Sequence, residues 1–517
     1  MITVTSPFGI KEVGGYCFAT IGDVIDNSVS QKGPSKDFVY LDIGSIDRES
    51  KRFLEHKLVS IGDAPSRAKQ VVATGDVLVS MTRPKLNAVA MIEDASNETI
   101  ASTGFHVLRA HEMDSKFLYY LVQTEEFVRS MCNLVQGALY PAVRPRDILS
   151  FKFQLPPRTE QSRIVEKLEE LLSDLDEGVT ELRKAQSKLI SYRQSLLKSA
   201  VEGPLTTDWR VANGKPKETG AELLQRILSK RRAHWEKKQL AKFKERGKAP
   251  PRNWQAKYVE PVRPDPDKLP TLPENWAWAS LDQLLSQLRS GSAETSIREV
   301  TPFPILKSSA VRQGAIDFSA LNYVTKQQSR EENFLAQDDL LITRLSGSVE
   351  YVGCCVTIDH LPDEAVQYPD RIFCGKMTPG FERLGAYIAY WLRSPTARAR
   401  IEAAAKSTAG HKRISMSDLQ SFPIPLPPLD ELYVITCRVK NLIDERATLD
   451  ASVTNALLQA VAQRKNLLKA AFGGQLVPQD PNDEPASELL ARIRAARDSK
   501  AGGSIASKRG RNPKVAP

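Results

Sequence analysis

The chain repeats itself, and this internal duplication constrains its fold more than any other feature of the sequence. The clearest match pairs QLPPRTEQSRIVEKL, which begins at Gln154, with PLPPLDELYVITCRV, which begins at Pro425. The offset between these copies is 271 residues and stays constant over almost 60 residues. Upstream the offset falls to 263, where GDVLV at Gly75 matches DDLLI at Asp338, and then to 260. A fixed period of this kind predicts two copies of one structural unit.

Each copy ends in a segment with the apolar period of a coiled coil. Apolar residues recur in alternating steps of four and three, and the same seam recurs in the second copy with Arg446 and Gln463 as polar exceptions. A lone helix of this length would expose its seam to water, so we predict that the two helices pack antiparallel about a pseudo-two-fold axis. The alternative is that each helix folds back on its own domain. The first seam consists of Ile164, Leu168, Leu171, Leu175, Gly178, Leu182, Ala185, Leu189, Tyr192 and Leu196.

The globular part of each copy mixes strand and helix signals, which predicts an α+β domain. Strands are predicted where β-branched and aromatic residues cluster between turn residues, and one helix follows in each copy where apolar residues recur at steps of three and four. The predicted strands are 38–46, 71–79 and 87–92 in the first copy and 340–343 and 351–358 in the second, and the predicted helices are 116–131 and 384–405.

Positive charge is concentrated between the copies. The whole chain has a net charge of +10, and residues 203–274 alone hold 17 Lys or Arg against 9 Asp or Glu. This segment contains a predicted basic helix at 221–246, whose start ELLQRI is echoed by ELLARI at Glu488, and a Pro-rich stretch. Such an excess favours a polyanionic partner or an acidic protein surface, although a charge run is often only a solvated face. Residues 502–517 are predicted to be disordered.

The sequence offers little support for an enzyme. It has no GxxxxGK[ST] phosphate loop, and the prolines at Leu155–Pro157 lack the flanking polar and aromatic residues that an amino-group DNA methyltransferase needs. Asp42 with Glu55, His56 and Lys57 loosely fits a metal-nuclease spacing, but the second copy has no counterpart. The six cysteines form no CxxC pair, so we expect reduced thiols and no metal site. No signal peptide or membrane span is recognisable, and a cytoplasmic protein is expected.

The order of these parts resembles the specificity (S) subunits of type I restriction–modification systems over nearly the whole chain. The likeness rests on the two PP-initiated heptad helices, the central TTDWRVANG and LPTLPENWAW segments, and the strand-and-loop segments GDVLVSMTRP and DDLLITRLSGS. One departure is that Tyr16-Cys17-Phe18 stands where the second copy has the Trp-rich opening at Asn275–Trp278. The resemblance implies target-recognition domains at 1–155 and 276–426, coiled-coil helices at 156–202 and 427–473, a basic central region at 203–275, and a short helix with a disordered tail at 474–517.

The resemblance also implies a function. Each recognition domain would read one half of a split, asymmetric target in double-stranded DNA, and the helices would fix the gap between the halves. The chain would dock two DNA adenine methyltransferase subunits, and restriction subunits that translocate and cleave DNA could join them. S-adenosylmethionine, ATP and Mg²⁺ would be bound by those partners and none by this chain, which would itself be non-catalytic.

Loop residues of types that read base edges or phosphates are the candidate DNA contacts, with solvated loop charges as the alternative. In the second copy two segments, TRLSGS and TAGHKRIS, correspond to two segments of the first. The candidates are Arg83, Lys85, Tyr140, Arg144 and Arg146 in the first copy and Arg344, Ser346, Ser348, His411, Lys412 and Arg413 in the second.

The central basic helix supplies candidate contacts to partner subunits, because aromatic side chains in a charged surround often anchor interfaces. A path along DNA phosphates is the other functional interpretation of this helix. The docking candidates are Arg231, Arg232, Trp235, Lys238 and Trp254. Two other classes of protein stay open: a self-contained nuclease or methyltransferase, and a purely structural coiled-coil scaffold.

Overall fold

The structure of the chain is a computed structural model. It divides into two compact units, one formed by Met1–Lys184 with Val453–Pro517 and the other by Ala185–Ser452. Each unit contains one α+β domain and one half of each of two long helices. The structure describes residues 15–508 except 27–28, 55–56, 96–97, 136–140, 266, 268, 313, 326–332 and 409.

The first α+β domain contains two four-stranded sheets with short helices after them. The strand orders are β6-β3-β10-β7 and β2-β11-β8-β9, and β1 pairs separately with β12. The strands are β1 (Cys17–Thr20), β2 (Ile25–Asp26), β3 (Phe38–Leu41), β4 (Ile46–Asp47), β5 (Arg52–Phe53), β6 (Lys57–Val59), β7 (Ala68–Val71), β8 (Val77–Ser80), β9 (Val89–Met91), β10 (Thr99–Ser102), β11 (Phe105–Ala110) and β12 (Lys152–Leu155). The helices are α1 (Ser115–Leu121), α2 (Glu125–Asn133) and α3 (Pro145–Leu149).

Three further helices lie between the first domain and the second. They are the long helix α4 (Arg158–Glu202), the short helix α5 (Thr207–Asn213) and the basic helix α6 (Gly220–Glu245). Thr219 caps α6: its hydroxyl accepts from the Glu222 backbone N–H, and the Glu222 carboxylate accepts from the Thr219 N–H. This reciprocal capping fixes the helix start one residue before the predicted position.

The second α+β domain repeats one sheet of the first. Its four-stranded sheet has the order β14-β22-β19-β21, and a three-stranded sheet has the order β20-β24-β23. The strands are β13 (Ala277–Ser280), β14 (Leu285–Ser290), β15 (Pro304–Leu306), β16 (Val311–Arg312), β17 (Ala315–Ile316), β18 (Leu321–Tyr323), β19 (Leu340–Thr343), β20 (Leu345–Ser346), β21 (Cys355–Thr357), β22 (Ile372–Met377), β23 (Lys406–Thr408), β24 (His411–Arg413) and β25 (Pro423–Leu426). The helices are α7 (Leu281–Leu284), α8 (Leu384–Arg393), α9 (Pro395–Ala404) and α10 (Met416–Gln420), followed by α11 (Leu429–Phe472) and α12 (Ala486–Lys508).

The sequence offsets reappear as matched backbone pairing. In the first domain Cys17 pairs with Leu155, and in the second Ala277 pairs with Leu426, which are the same positions shifted by 260 and 271. One four-stranded sheet of each domain also has the same strand order, β2-β11-β8-β9 in the first and β14-β22-β19-β21 in the second. The predicted tandem α+β repeat is therefore confirmed.

Both helices predicted within the domains are wrong as single helices. Residues 116–131 divide into α1 and α2, because the Thr124 hydroxyl accepts from the Phe127 N–H and starts a new helix. Residues 384–405 divide into α8 and α9, because Pro395 has no N–H to continue a helix and Ser394 caps the next one. In each case a capping residue outweighs the continuous apolar period.

Several predicted strands are also too long. The strand at 38–46 ends at Leu41, where the Asp42 carboxylate accepts from the Ser45 N–H and forms a turn. The segment at 71–79 is broken by a turn at Gly75, whose φ of 88° suits glycine. Strands 87–92 and 351–358 shorten to β9 and β21. Residues 502–508, predicted to be disordered, belong to α12, and 509–517 lie outside the described residues.

The two long helices pack together and run antiparallel, as predicted. In the first unit Asp176 of α4 accepts from Arg464 of α11 at 2.8 Å. In the second unit Arg193 of α4 pairs with Asp450 of α11, and Arg438 of α11 donates to the carbonyl oxygen of Leu205, just beyond the end of α4. Within this unit the numbering therefore falls in one helix as it rises in the other. Buried residues of both helices join each domain core: Leu168, Leu172, Leu468 and Ala471 in the first unit and Leu197, Ala200, Ile435 and Val439 in the second.

The polar exceptions in the second seam have different surroundings. The Arg446 guanidinium lies 4.0 Å from the ring centroid of Tyr192, a seam residue of α4, so a cation–π contact replaces apolar packing there. Gln463 is exposed to solvent, as is Gly178 in the first seam.

The tyrosine at the start of the first domain makes the same type of hydrogen bond as the tryptophan at the corresponding position of the second domain. Tyr16 and Trp276 are related by the offset of 260, and Glu160 and Glu431 by 271. The Tyr16 hydroxyl donates to Glu160 at 2.6 Å, and the Trp276 indole N–H donates to Glu431 at 2.9 Å. Both glutamates are only 1% exposed. Each domain thus satisfies an equivalent buried carboxylate with an aromatic donor, which explains the departure at the N-terminus.

We therefore expect Tyr16→Phe to destabilise the first unit by about 1–3 kcal/mol, because it leaves the buried Glu160 carboxylate without this donor. Tyr16→Trp supplies an indole N–H and should cost less. Chemical denaturation of the purified chain measures both changes, and equal losses for the two variants would show that packing, and not the hydrogen bond, decides the effect.

Candidate nucleic-acid interface

The two candidate segments of the second domain lie side by side in one small sheet. β24 is the central strand of this sheet, between β20 and β23. Leu345 pairs with Arg413, and the Ile414 N–H donates to the Arg344 carbonyl oxygen at 3.0 Å. Segments more than 60 residues apart in the sequence therefore form one surface.

The first domain brings its two candidate segments together in the same way. Thr82 and Ala142 form an antiparallel bridge, and the Val143 N–H donates to the Met81 carbonyl oxygen at 2.9 Å. Adding 263 to the residue numbers of the first segment and 271 to those of the second gives the residues that make the same two contacts in the second domain. The same loop juxtaposition is thus built twice.

A cavity of about 360 Å³ lies beside this sheet in the second domain. Arg344, Lys406 and Arg413 line it together with the ring of Phe373 and the carboxylate of Asp418. Three cations around one opening favour an anionic or acceptor-rich ligand. Neither Phe373 nor Lys406 was predicted from the sequence, since both reach the cavity only through long-range strand pairing.

The Arg344 guanidinium is held in a defined orientation. Its carbon lies 5.5 Å from the ring centroid of Phe373, and one Nη donates to the Asp370 carbonyl oxygen at 3.2 Å. A guanidinium has five N–H donors, so this arrangement leaves donors for a further acceptor. The geometry suits the bidentate reading of a guanine edge.

The first domain has different chemistry at the matching positions. Met81 occupies the place of Arg344, and His106 occupies the place of Phe373, by strand register. Burial lowers the pKa of His106, and its Nε2 has no hydrogen-bond partner among the described residues. The two domains therefore share a backbone frame but present different side chains on it.

The remaining candidate contacts are distributed over these loops. Arg83 and Lys85 are exposed, as are Arg144, the N-cap residue of α3, and Arg146 within α3, whose Nε lies 3.7 Å from the Asp147 carboxylate. In the second domain His411 and Arg413 are exposed, whereas Ser346, Ser348 and Lys412 are half-buried, with Ser346 opposite Lys412. Tyr140 lies outside the described residues. These placements put the described candidates in the two juxtaposed segments of each domain, and their contact with DNA stays a prediction.

The basic helix α6 is packed on the second domain by its first turns. Leu223, Leu224 and Ile227 are buried in the core of that unit. Arg231 is only 13% exposed, and it donates to the Leu285 carbonyl oxygen at 2.8 Å and to the Tyr258 hydroxyl at 2.7 Å. This residue therefore joins α6 to its own domain, which leaves it little capacity for a partner.

The aromatic residues of this region also contact one another. Trp235 stacks on Trp254 with ring centroids 5.9 Å apart, and Tyr258 meets Trp235 edge-on at 5.2 Å. The stack attaches the Pro-rich segment to α6. Arg232 is 51% exposed and Lys238 is half-buried. Docking of partners on this face stays a prediction.

The loose nuclease motif does not form a described metal site. Asp42 caps a turn through the Ser45 N–H, Lys57 is exposed on β6, and Glu55 and His56 lie outside the described residues. Within the part of the chain that the structure describes, no group of three or more His, Cys, Asp or Glu side chains could hold a metal ion. Within the same part, no helix is both long and apolar enough to cross a membrane.

Comparison with known proteins agrees with this duplicated architecture. Residues 10–185 match a family described as the type I restriction modification DNA specificity domain. The chain is 26% identical over 448 residues to the type I restriction enzyme EcoKI specificity subunit of Escherichia coli strain K12, with 84% of each chain covered. It is 24% identical over 409 residues to the Escherichia coli EcoDI specificity subunit, covering 77% of this chain and 80% of that one.

A solved structure supports the fold. A chain from work described as "Structural basis underlying complex assembly and conformational transition of the type I R-M system" superposes with a TM-score of 0.60 at 20% identity, covering 90% of this chain and 100% of that one. The chain is thus a duplicated α+β protein with paired spacer helices and matched loop surfaces. Over most of its length it is similar to the specificity subunits of type I restriction–modification systems.

Proposed function

We propose that this chain is the DNA-recognition subunit of a type I restriction–modification complex and reads a split, asymmetric target. Each α+β domain reads one half-site, and the paired helices α4 and α11 set the gap between the halves. The observation that carries this proposal is the loop juxtaposition built twice on one backbone frame with different side chains. A pseudo-two-fold protein with two unlike reading surfaces suits two unlike half-sites at a fixed spacing.

The chemistry of methylation belongs to other subunits in this proposal. The chain docks two DNA adenine methyltransferase subunits, which bind S-adenosylmethionine, and restriction subunits that use ATP and Mg²⁺. The face of α6 that carries the exposed Arg232 and the half-buried Lys238 is the proposed docking surface for a partner. Phosphate contacts from exposed Lys and Arg side chains give salt-dependent affinity, and base contacts give sequence preference.

The division of labour is tested with purified components. The chain, the cognate methyltransferase subunit and their complex are each incubated with DNA and S-adenosylmethionine, and separately with DNA and Mg²⁺. We expect sequence-specific methylation from the complex and no methylation or cleavage from the chain alone. Methylation or cleavage by the chain alone would contradict the proposal and favour a self-contained enzyme.

A further inference from the structure

The loop that carries Arg83 and Lys85 has an unusual backbone. After β8 the chain forms a 3₁₀ turn at Pro84–Leu86, with Arg83 at φ 49° before it and Asn87 at φ 44° after it. Residues with a side chain rarely adopt this left-handed conformation, and it persists only where the surroundings hold it in place. Something outside the turn must therefore fix this loop.

A lysine from a different part of the first domain holds the end of the turn. The Lys51 Nζ donates to the Asn87 carbonyl oxygen at 2.6 Å, from the turn that joins β4 to β5. Lys51 is itself fixed, because its carbonyl oxygen accepts from the Tyr119 hydroxyl at 3.0 Å. Burial lowers the pKa of Lys51 to about 8, so its ammonium group is retained at neutral pH. A charged donor makes this hydrogen bond stronger than a neutral one.

The second domain holds the equivalent turn with an arginine. Val349–Tyr351 is also a 3₁₀ turn, and it lies in the loop between β19 and β21, the strands that correspond to β8 and β9 of the first domain. Arg398 of α9 donates to the Glu350 carbonyl oxygen at 3.1 Å, to that of Val352 at 2.6 Å and to that of Val349 at 3.3 Å.

The two cations do not correspond in the duplication. Lys51 lies between β4 and β5, which correspond by register to β16 and β17, and the two residues between those strands, Gln313 and Gly314, are not cations. When the helix N-caps Thr124 and Ser394 are aligned, Val128 stands at the position of Arg398. The loop after β8 and the matching loop after β19 are therefore each held at backbone carbonyls by a cation, which comes from a strand turn in one domain and from a helix in the other. An inherited packing contact would come from equivalent positions, so this recurrence points to a requirement of the loop itself.

We propose that Lys51 and Arg398 are positioning residues that set the base preference of one DNA half-site each. They do so by holding the loop that presents Arg83 and Lys85 in the first domain, and the loop that presents Ser346 and Ser348 in the second. Base edges are discriminated only when the reading side chains are held close to one geometry, so a loop that loses its cation reads less strictly. This inference rests on the proposed function, since it assigns positioning roles within the two reading surfaces.

The test is methylome sequencing of cells that express the cognate methyltransferase subunit with wild-type chain, Lys51→Met or Arg398→Met. We expect Lys51→Met to relax the first half-site and Arg398→Met the second, each by roughly tenfold at one or more base pairs. The other half-site should stay as strict as in the wild type. Lys51→Arg and Arg398→Lys keep a cationic donor and should restore most of the selectivity.

Matched controls separate positioning from general loss of stability. Arg48→Met lies on the same turn as Lys51, and Arg400→Met lies on α9 two residues from Arg398; both should leave the motif unchanged. A variant that is merely less stable lowers methylation at all sites and leaves the motif itself intact, and that result would overturn the inference. A wild-type control without any split motif would overturn the proposed function as well, which distinguishes the two failures.

Discussion

Asp339→Ala is expected to lower the free energy of unfolding of the second domain by about 3 kcal/mol. The Asp339 carboxylate is 4% exposed and accepts from the Lys376 Nζ at 2.8 Å and from the Ala336 N–H at 2.8 Å. Removing one partner of a buried ion pair typically costs about 3–5 kcal/mol. The lower end applies here because Lys376 is 30% exposed and can be partly solvated after the change.

The first domain contains an equivalent buried ion pair and serves as an internal control. Asp76 accepts from Arg109 at 2.7 Å and from the Ala73 N–H at 2.8 Å. The offset of 263 relates Asp76 to Asp339, and the strand register relates Arg109 to Lys376. Hydrogen exchange of the Asp339→Ala chain should therefore show lost protection in β19 and β22 and unchanged protection in β8 and β11. Asp359→Ala, at an exposed carboxylate of the second domain, should change stability by less than about 0.5 kcal/mol. Equal protection of β19 in wild type and Asp339→Ala would refute the assigned role.

Arg344→Ala is expected to relax one base pair of the second half-site by about 10- to 100-fold. A bidentate contact of arginine to guanine contributes roughly 1–3 kcal/mol of discrimination, which is about 5- to 150-fold and includes the expected loss. The guanidinium is already oriented by the Phe373 ring and the Asp370 carbonyl, so little ordering remains when it meets a base. The first half-site should be unaffected, because Met81 occupies the equivalent position there.

Arg344→Lys is the graded control for this prediction. Lysine keeps the positive charge but lacks the planar fork of donors, so it should preserve overall DNA affinity and still lose discrimination at the same base pair. Both variants are compared by methylome sequencing with the cognate methyltransferase subunit. A motif that stays equally strict in Arg344→Ala would remove this residue from the reading surface.

The duplication and the long helices could be predicted from sequence because their signals are local or periodic. The Leu-Pro-Pro starts at Leu155 and Leu426 and the heptads after them fixed the positions of α4 and α11 to within a few residues. The breaks at Thr124 and Pro395 were overlooked although both capping residues are visible in the sequence. At both positions the apolar period continues through the break, but the capping residue ends one helix and starts the next.

The candidate site was harder to predict, because its parts come together only through long-range pairing. The two loops of each domain were identified separately, but no local pattern predicts that Leu345 lies opposite Arg413. Phe373 reads as an ordinary strand residue, and Lys51 as a solvated turn lysine. The equivalence of Tyr16 and Trp276 likewise could not be predicted from sequence, because it depends on the buried glutamates to which both side chains donate.

The measurement that tests the central claim most directly is N6-methyladenine sequencing of DNA from cells that co-express the wild-type chain with its cognate methyltransferase subunit. The proposed function predicts methylation at one motif with two different specified halves and a fixed unspecified gap. Methylation at a single continuous motif, or no motif-specific methylation with an active partner, would contradict the account and favour a structural scaffold.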